Sequence, residues 1–156
     1  MKALVVYYSR TGNTRKAGEE VAKELSCDVE EIVDTTNWSG PIGWVKAGKQ
    51  ASSKALTKLE PLKKDPSQYD LVIIGTPVWA GTMSTPVRTY LVENKDKLKK
   101  VAFFITMGSR GDEPTLRGME EASGKKPAAT LVLRTADVKS GAYADAIKRF
   151  AGELRA

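Results

Sequence analysis

The sequence contains no histidine and a single cysteine, Cys27, among its 156 residues. Without histidine there is no imidazole base, no Ser-His-Asp triad and no imidazole metal ligand. A lone cysteine forbids an internal disulfide and fits a reducing compartment. Long apolar runs are also missing. The N-terminal stretch from Met1 to Tyr8 is too short for a signal segment or a membrane span, and no later run is long enough to span either. The expected setting is the cytoplasm, away from membranes. The net charge is +6, which raises the question of nucleic acid. Yet the lysines are scattered apart from Lys63-Lys64, Lys95 to Lys100 and Lys125-Lys126, and no aromatic-rich strand lies among them to stack bases. No nucleic-acid partner is expected.

What is present reads as one ordinary globular domain over residues 1–156, with 41% hydrophobic and 28% charged residues and no internal repeat or linker. Continuous apolar runs occur at Leu4 to Tyr8, Leu71 to Ile74, Val101 to Ile105 and Leu131 to Leu133, with a weaker one at Val29 to Val33. Such runs suit strands covered on both faces. Amphipathic stretches separate them. After Asn13, residues Ala17, Val21, Ala22 and Leu25 share a helical face. Thr85-Pro86 reads as an N-cap followed by proline at the first helical position, with Val87, Tyr90 and Leu91 as the apolar face. Tyr143, Ala146, Ile147, Phe150 and Leu154 repeat at helical spacing, and weaker helices are expected over 39–55 and 113–123. This alternation predicts an α/β fold, a doubly wound five-stranded parallel sheet with helices on both faces. Ligands of such sheets sit at the carboxyl ends of the strands, so the loops after the first, third and fourth strands are the places to search.

The first of these loops is Ser9-Arg10-Thr11-Gly12-Asn13-Thr14. Four of its residues carry short hydroxyl or amide side chains, Gly12 permits a tight turn, and a helix begins at once. Free N–H groups and the positive end of the helix dipole then make a cup of donors suited to phosphate. The spacing is neither that of a P-loop nor that of the three-glycine dinucleotide fingerprint. The second loop, Thr76-Pro77-Val78-Trp79-Ala80-Gly81-Thr82, puts a tryptophan among turn residues, where a flat aromatic suits a flat ligand or packs over the sheet end. The third, Thr106-Met107-Gly108-Ser109-Arg110-Gly111-Asp112, has glycines at 108 and 111 that favour close backbone approach.

Together these loops resemble those of the flavodoxin family, in its short form, over essentially the whole chain. The resemblance implies a strand order of 2-1-3-4-5 and non-covalent binding of flavin mononucleotide (FMN). It implies that Ser9 to Thr14 hold the phosphate, and that Thr76 to Gly81 and Thr106 to Asp112 flank the isoalloxazine ring. Trp79 falls at the family's stacking position. Two departures stand out. Most electron-transfer flavodoxins are acidic, whereas this chain is basic, with a pI near 9.4. The third loop also lacks an aromatic, and Arg110 stands where one often covers the outer ring face. Arg110, or Trp38 or Trp44 from beyond the second strand, are the candidates to replace it. The function implied is a low-potential electron carrier, monomeric, working with redox partner proteins, which the basic charge of this chain leads one to expect to be acidic. The alternative is an NAD(P)H-dependent FMN quinone or flavin reductase on the same fold. A signalling receiver domain is excluded, because Tyr7-Tyr8-Ser9 and Gly75-Thr76 occupy the places of its acidic residues.

Overall fold

Strand β1 (Ala3–Tyr7) lies inside a parallel sheet, between the edge strand β2 (Asp28–Glu31) and the central strand β3 (Leu71–Trp79). The computed structural model describes residues 1–36 and 38–156. Beyond β3 come β5 (Lys100–Met107) and β6 (Thr130–Arg134), so the parallel strands run β2-β1-β3-β5-β6. Numbered by themselves, these five are in the expected order 2-1-3-4-5. The register is continuous, from Ala3 opposite Leu71 to Tyr7 opposite Gly75, and from Leu71 opposite Lys100 to Pro77 opposite Thr106. An additional two-residue strand, β4 (Thr82–Met83), folds back antiparallel on the end of β3.

Alternating side chains of each strand feed opposite faces. Leu4, Val6, Val72, Ile74, Phe103 and Ile105 point to one core, which α2 (Gly40–Ser52), α3 (Thr85–Asn94) and α4 (Asp112–Ser123) cover. Val5, Tyr7, Ile73 and Phe104 point to the other, covered by α1 (Asn13–Leu25) and α6 (Ala144–Arg155). All of these strand residues except Tyr7 are fully buried, which is why their sequence reads as unbroken apolar runs. Gly75 is obligatory here: a Cβ on it would lie 1.9 Å from the Phe104 ring.

Four boundaries differ from the sequence reading. β3 and β5 extend through Trp79 and Met107, because ladder pairing continues past the apolar runs. β2 stops at Glu31, since the backbone of Val33 and Asp34 turns to the segment around Leu59 and Glu60. The cap of α3 is Ser84, whose hydroxyl accepts from the Val87 N–H at 3.4 Å, and this moves Thr85 inside the helix. A short helix α5 (Thr135–Ser140), without apolar periodicity to announce it, follows β6 directly. Among the described residues no helix is long and apolar enough to cross a membrane.

Candidate functional site

The carboxyl ends of β1, β3 and β5 open into one cleft of about 260 Å³. Its floor on the β1 side is the turn into α1. Gly12 has φ of +100° and caps the helix in the left-handed conformation, with open space where a Cβ would stand. Glycine reaches this geometry without strain. Its N–H donates to Ser9 Oγ at 3.0 Å, which closes the loop. No side chain caps α1, so the N–H groups of its first turn lack an intrahelical acceptor and are available to an anion. Asn13 Nδ2 donates to Thr11 Oγ1 at 3.3 Å.

Thr14 and Thr106 join the β1 and β5 sides. Their buried hydroxyls are 2.8 Å apart. One donates to the other, and the second keeps its hydrogen for a further acceptor. Thr135 Oγ1 donates to the Met107 carbonyl at 3.1 Å and ties α5 to the same rim. Arg10, the basic departure in the first loop, turns sideways. Its Nε donates to the Trp38 carbonyl at 2.8 Å and its Nη2 to the Gly40 carbonyl at 2.9 Å.

The loop around Trp79 is a tight hairpin. Trp79 pairs with Thr82, and the two residues between, Ala80 and Gly81, both have positive φ, 51° and 77°. That is the primed turn whose twist suits adjacent antiparallel strands. Trp79 itself is only 7% exposed. It stands edge-on to Tyr8, ring centroids 5.6 Å apart, and tilted against Trp38 at 5.3 Å. Burial, with a further contribution from Asp34, pushes the Tyr8 phenol up to about 12, so it stays neutral in this aromatic cluster. Thr76 is fully buried; its Oγ1 accepts from the Ser84 N–H at 3.0 Å and belongs to the hairpin's base. At the start of α4, Gly111 takes φ of +105° and its backbone lies on the hairpin. A Cβ there would come within 2.8 Å of Val78 Cγ1 and 3.3 Å of Gly81 Cα.

Of the residues singled out from sequence, Arg10, Thr11, Asn13, Thr14, Pro77, Val78, Trp79, Thr106, Met107 and Gly108 line the cleft together. Ser9 and Gly12 shape its floor from behind. Ala80 lines an adjoining cleft of about 300 Å³ between α2 and the hairpin. Gly81 forms the turn, while Ser109, Arg110, Gly111 and Asp112 lead into α4 without lining the cleft. Trp44, Thr135 and Lys139 complete the lining, and no motif marked Thr135 or Lys139. The rule that ligands sit at carboxyl strand ends extends to the segment after β6 and could have found them. The cations on the lining are Arg10 and Lys139, and no carboxylate stands among these residues. A roomier hollow of about 530 Å³, beside Met1, Cys27 and Arg155, lies at the amino ends of the strands, where open parallel sheets do not bind ligands.

The arrangement has known counterparts, although no curated protein matches the sequence. The chain is similar to a flavoprotein from Lactobacillus acidophilus, crystallised in complex with FMN: the TM-score is 0.73 and the identity 26%, over 89% of this chain and 97% of that one. It is also similar to the two-electron reduced flavodoxin of Megasphaera elsdenii, with TM-score 0.62 and 17% identity over 97% of this chain and 96% of that one. An NADH:FMN oxidoreductase in its apo form gives TM-score 0.55 and 16% identity over 97% and 89%. At those identities the last two show the fold alone. The family model described as flavodoxin matches residues 2–132. That span runs from β1 into β6 and contains all three loops that meet at the cleft, so the chain belongs to the flavodoxin family.

Proposed function

We propose that this protein binds one FMN in the cleft at the carboxyl ends of β1, β3 and β5 and serves as an electron carrier. The observation that carries the reading is the donor set at one end of that cleft: an uncapped helix N-terminus beside Thr11, Asn13 and the Thr14–Thr106 hydroxyl pair. A phosphate monoester fits such a set, because charge-assisted hydrogen bonds from backbone N–H and hydroxyl groups need no neutralising side chain. The other end, walled by Pro77, Val78, Trp79 and Met107, suits a flat aromatic ring. Bound FMN supplies the electron-transfer chemistry, and the chain's part is to bind it, orient it and shape its surroundings. Carrier function is supported by a lining without a carboxylate, since electron transfer requires no side-chain acid or base.

Redox partners of acidic character fit the neighbouring surface. From Thr35 to Leu59 the chain has four lysines, Lys46, Lys49, Lys54 and Lys58, and no aspartate or glutamate. All four are exposed. Such a field speeds encounter with an acidic protein in a salt-dependent way. We infer a monomer working in the cytoplasm.

The test is reconstitution of the purified protein. FMN should bind with the absorption bands of a protein-held flavin, and calorimetry should show it binding far more tightly than riboflavin. Asn13→Leu should weaken FMN and leave riboflavin nearly unchanged. Equal affinities for the two flavins in the wild type would remove the phosphate assignment. Multiple turnover of NAD(P)H with a quinone would assign the reductase activity instead.

A further inference from the structure

The cleft has an open side, and the aromatic residues around it are not equivalent. Trp79 is wedged between Tyr8 and Trp38. Trp38 is 4% exposed, and its indole N–H donates to the Asp34 carboxylate. The loop from Gly108 to Arg110 has no aromatic at all. Trp44 differs from all of these. It is 67% exposed, yet it lines both the cleft at the strand ends and the adjoining cleft against the hairpin. Exposing most of an indole leaves a large apolar area in water, and here that area borders the site.

Its position is held from two sides. Gly43, the residue before it, packs directly on the Trp38 backbone: a Cβ there would lie 2.3 Å from the Trp38 carbonyl carbon and oxygen. Arg10 binds the Trp38 and Gly40 carbonyls, so the phosphate-side loop fixes the first turn of α2. Gly48 stands one turn beyond Trp44 on the same helical face. A Cβ on Gly48 would meet Ala80 Cβ at 3.6 Å. That face of α2 therefore fronts the hairpin, and the small residue at 48 leaves room beside the indole.

We propose that Trp44 is the aromatic side chain that covers the solvent-facing side of the flavin ring, supplied by α2 rather than by the loop after β5. Arg10 is then a positioning residue, coupling the phosphate loop to the helix that carries the indole. This inference rests on the reading of the cleft as an FMN site, and the measurements below separate the two.

FMN and riboflavin are titrated calorimetrically into wild type, Trp44→Ala and Trp44→Phe, with the melting of each apo protein recorded. Trp44→Ala should weaken both flavins together by roughly tenfold or more, the scale of losing one aromatic stacking partner. Trp44→Phe should recover most of the loss. Apo melting should not change, because the side chain is mostly exposed. Fluorescence of the bound flavin should rise in Trp44→Ala. Arg10→Met should weaken both flavins in the wild-type background but have little further effect in Trp44→Ala. Unchanged affinity of Trp44→Ala for both flavins overturns the assignment while leaving the FMN site intact. Weaker FMN with unchanged riboflavin also overturns it, since the residue would then act at the phosphate. Failure of the wild type to bind either flavin overturns the FMN reading and this inference with it.

Discussion

The guanidinium of Arg10 reaches away from the helix N-terminus beside it and holds two carbonyls of another segment, those of Trp38 at 2.8 Å and Gly40 at 2.9 Å. A basic residue in the loop proposed to hold a phosphate thus serves structure. Both contacts are hydrogen bonds from a charged donor, stronger than neutral ones. Arg10→Met should lower the stability of the apo protein by roughly 1–2 kcal/mol, given the usual worth of such bonds at partly exposed sites. Urea unfolding measures the loss. Hydrogen exchange should locate it at the start of α2, and unchanged protection there would show that the tether is not structural.

Trp79 offers a contrast between packing and binding. At 7% exposure, against Tyr8 and Trp38, it is part of the core around β3. Trp79→Ala should cost the apo protein roughly 3 kcal/mol, the lower range for truncating a buried large aromatic. A stacking residue outside the core would lose flavin affinity with little change in apo melting. Thermal denaturation without flavin distinguishes the two.

Ala80 holds φ of 51° ahead of Gly81 at 77°. A Cβ in the left-handed region costs about 1–2 kcal/mol, and asparagine tolerates it better than alanine. Asn-Gly is also the preferred pair in this turn. Ala80→Asn should therefore stabilise the protein by about 0.5–1 kcal/mol, whereas Ala80→Val should destabilise it by at least about 1 kcal/mol, because β-branching worsens positive φ. A shift of the denaturation midpoints in the opposite order would exclude the primed turn.

Cys27 is half-buried, and burial, with a smaller contribution from Asp28, pushes its thiol up to about 11. The thiolate is the reactive form. Alkylation of the folded protein at pH 8 should therefore be far slower than that of the unfolded chain, and the rate should keep rising with pH beyond 9. A rate that levels off near pH 9 would mean the thiol sits in an ordinary aqueous environment.

Much of the fold lies open in the sequence because its signals are local. The runs Leu4 to Tyr8 and Leu71 to Ile74 are apolar throughout because both sheet faces are covered. The turn around Gly12 carries its chemistry in six adjacent residues, and the structure seats four of them, Arg10, Thr11, Asn13 and Thr14, on the cleft lining. What was hidden depends on partners far along the chain. The hydroxyl bond between Thr14 and Thr106 spans 92 residues. No pattern near Arg10 announces that its partners are carbonyls at 38 and 40.

The sequence by itself determined the succession of strands and helices, the loops that gather at the carboxyl ends and the resemblance to flavodoxins. Periodicity and turn chemistry act over a few residues and survive in any context. Only the tertiary structure decided how deeply each tryptophan is buried. All three stand near turns or at a weak helix, and sequence alone leaves each free to pack or to bind. Packing against Tyr8 and Asp34 buries most of Trp79 and Trp38, with Trp79 still on the cleft lining, while Gly43 and Gly48 set the lie of α2 that leaves Trp44 exposed at the cleft. An indole's exposure is fixed by which distant surfaces close over it, and those surfaces exist only once the sheet has formed.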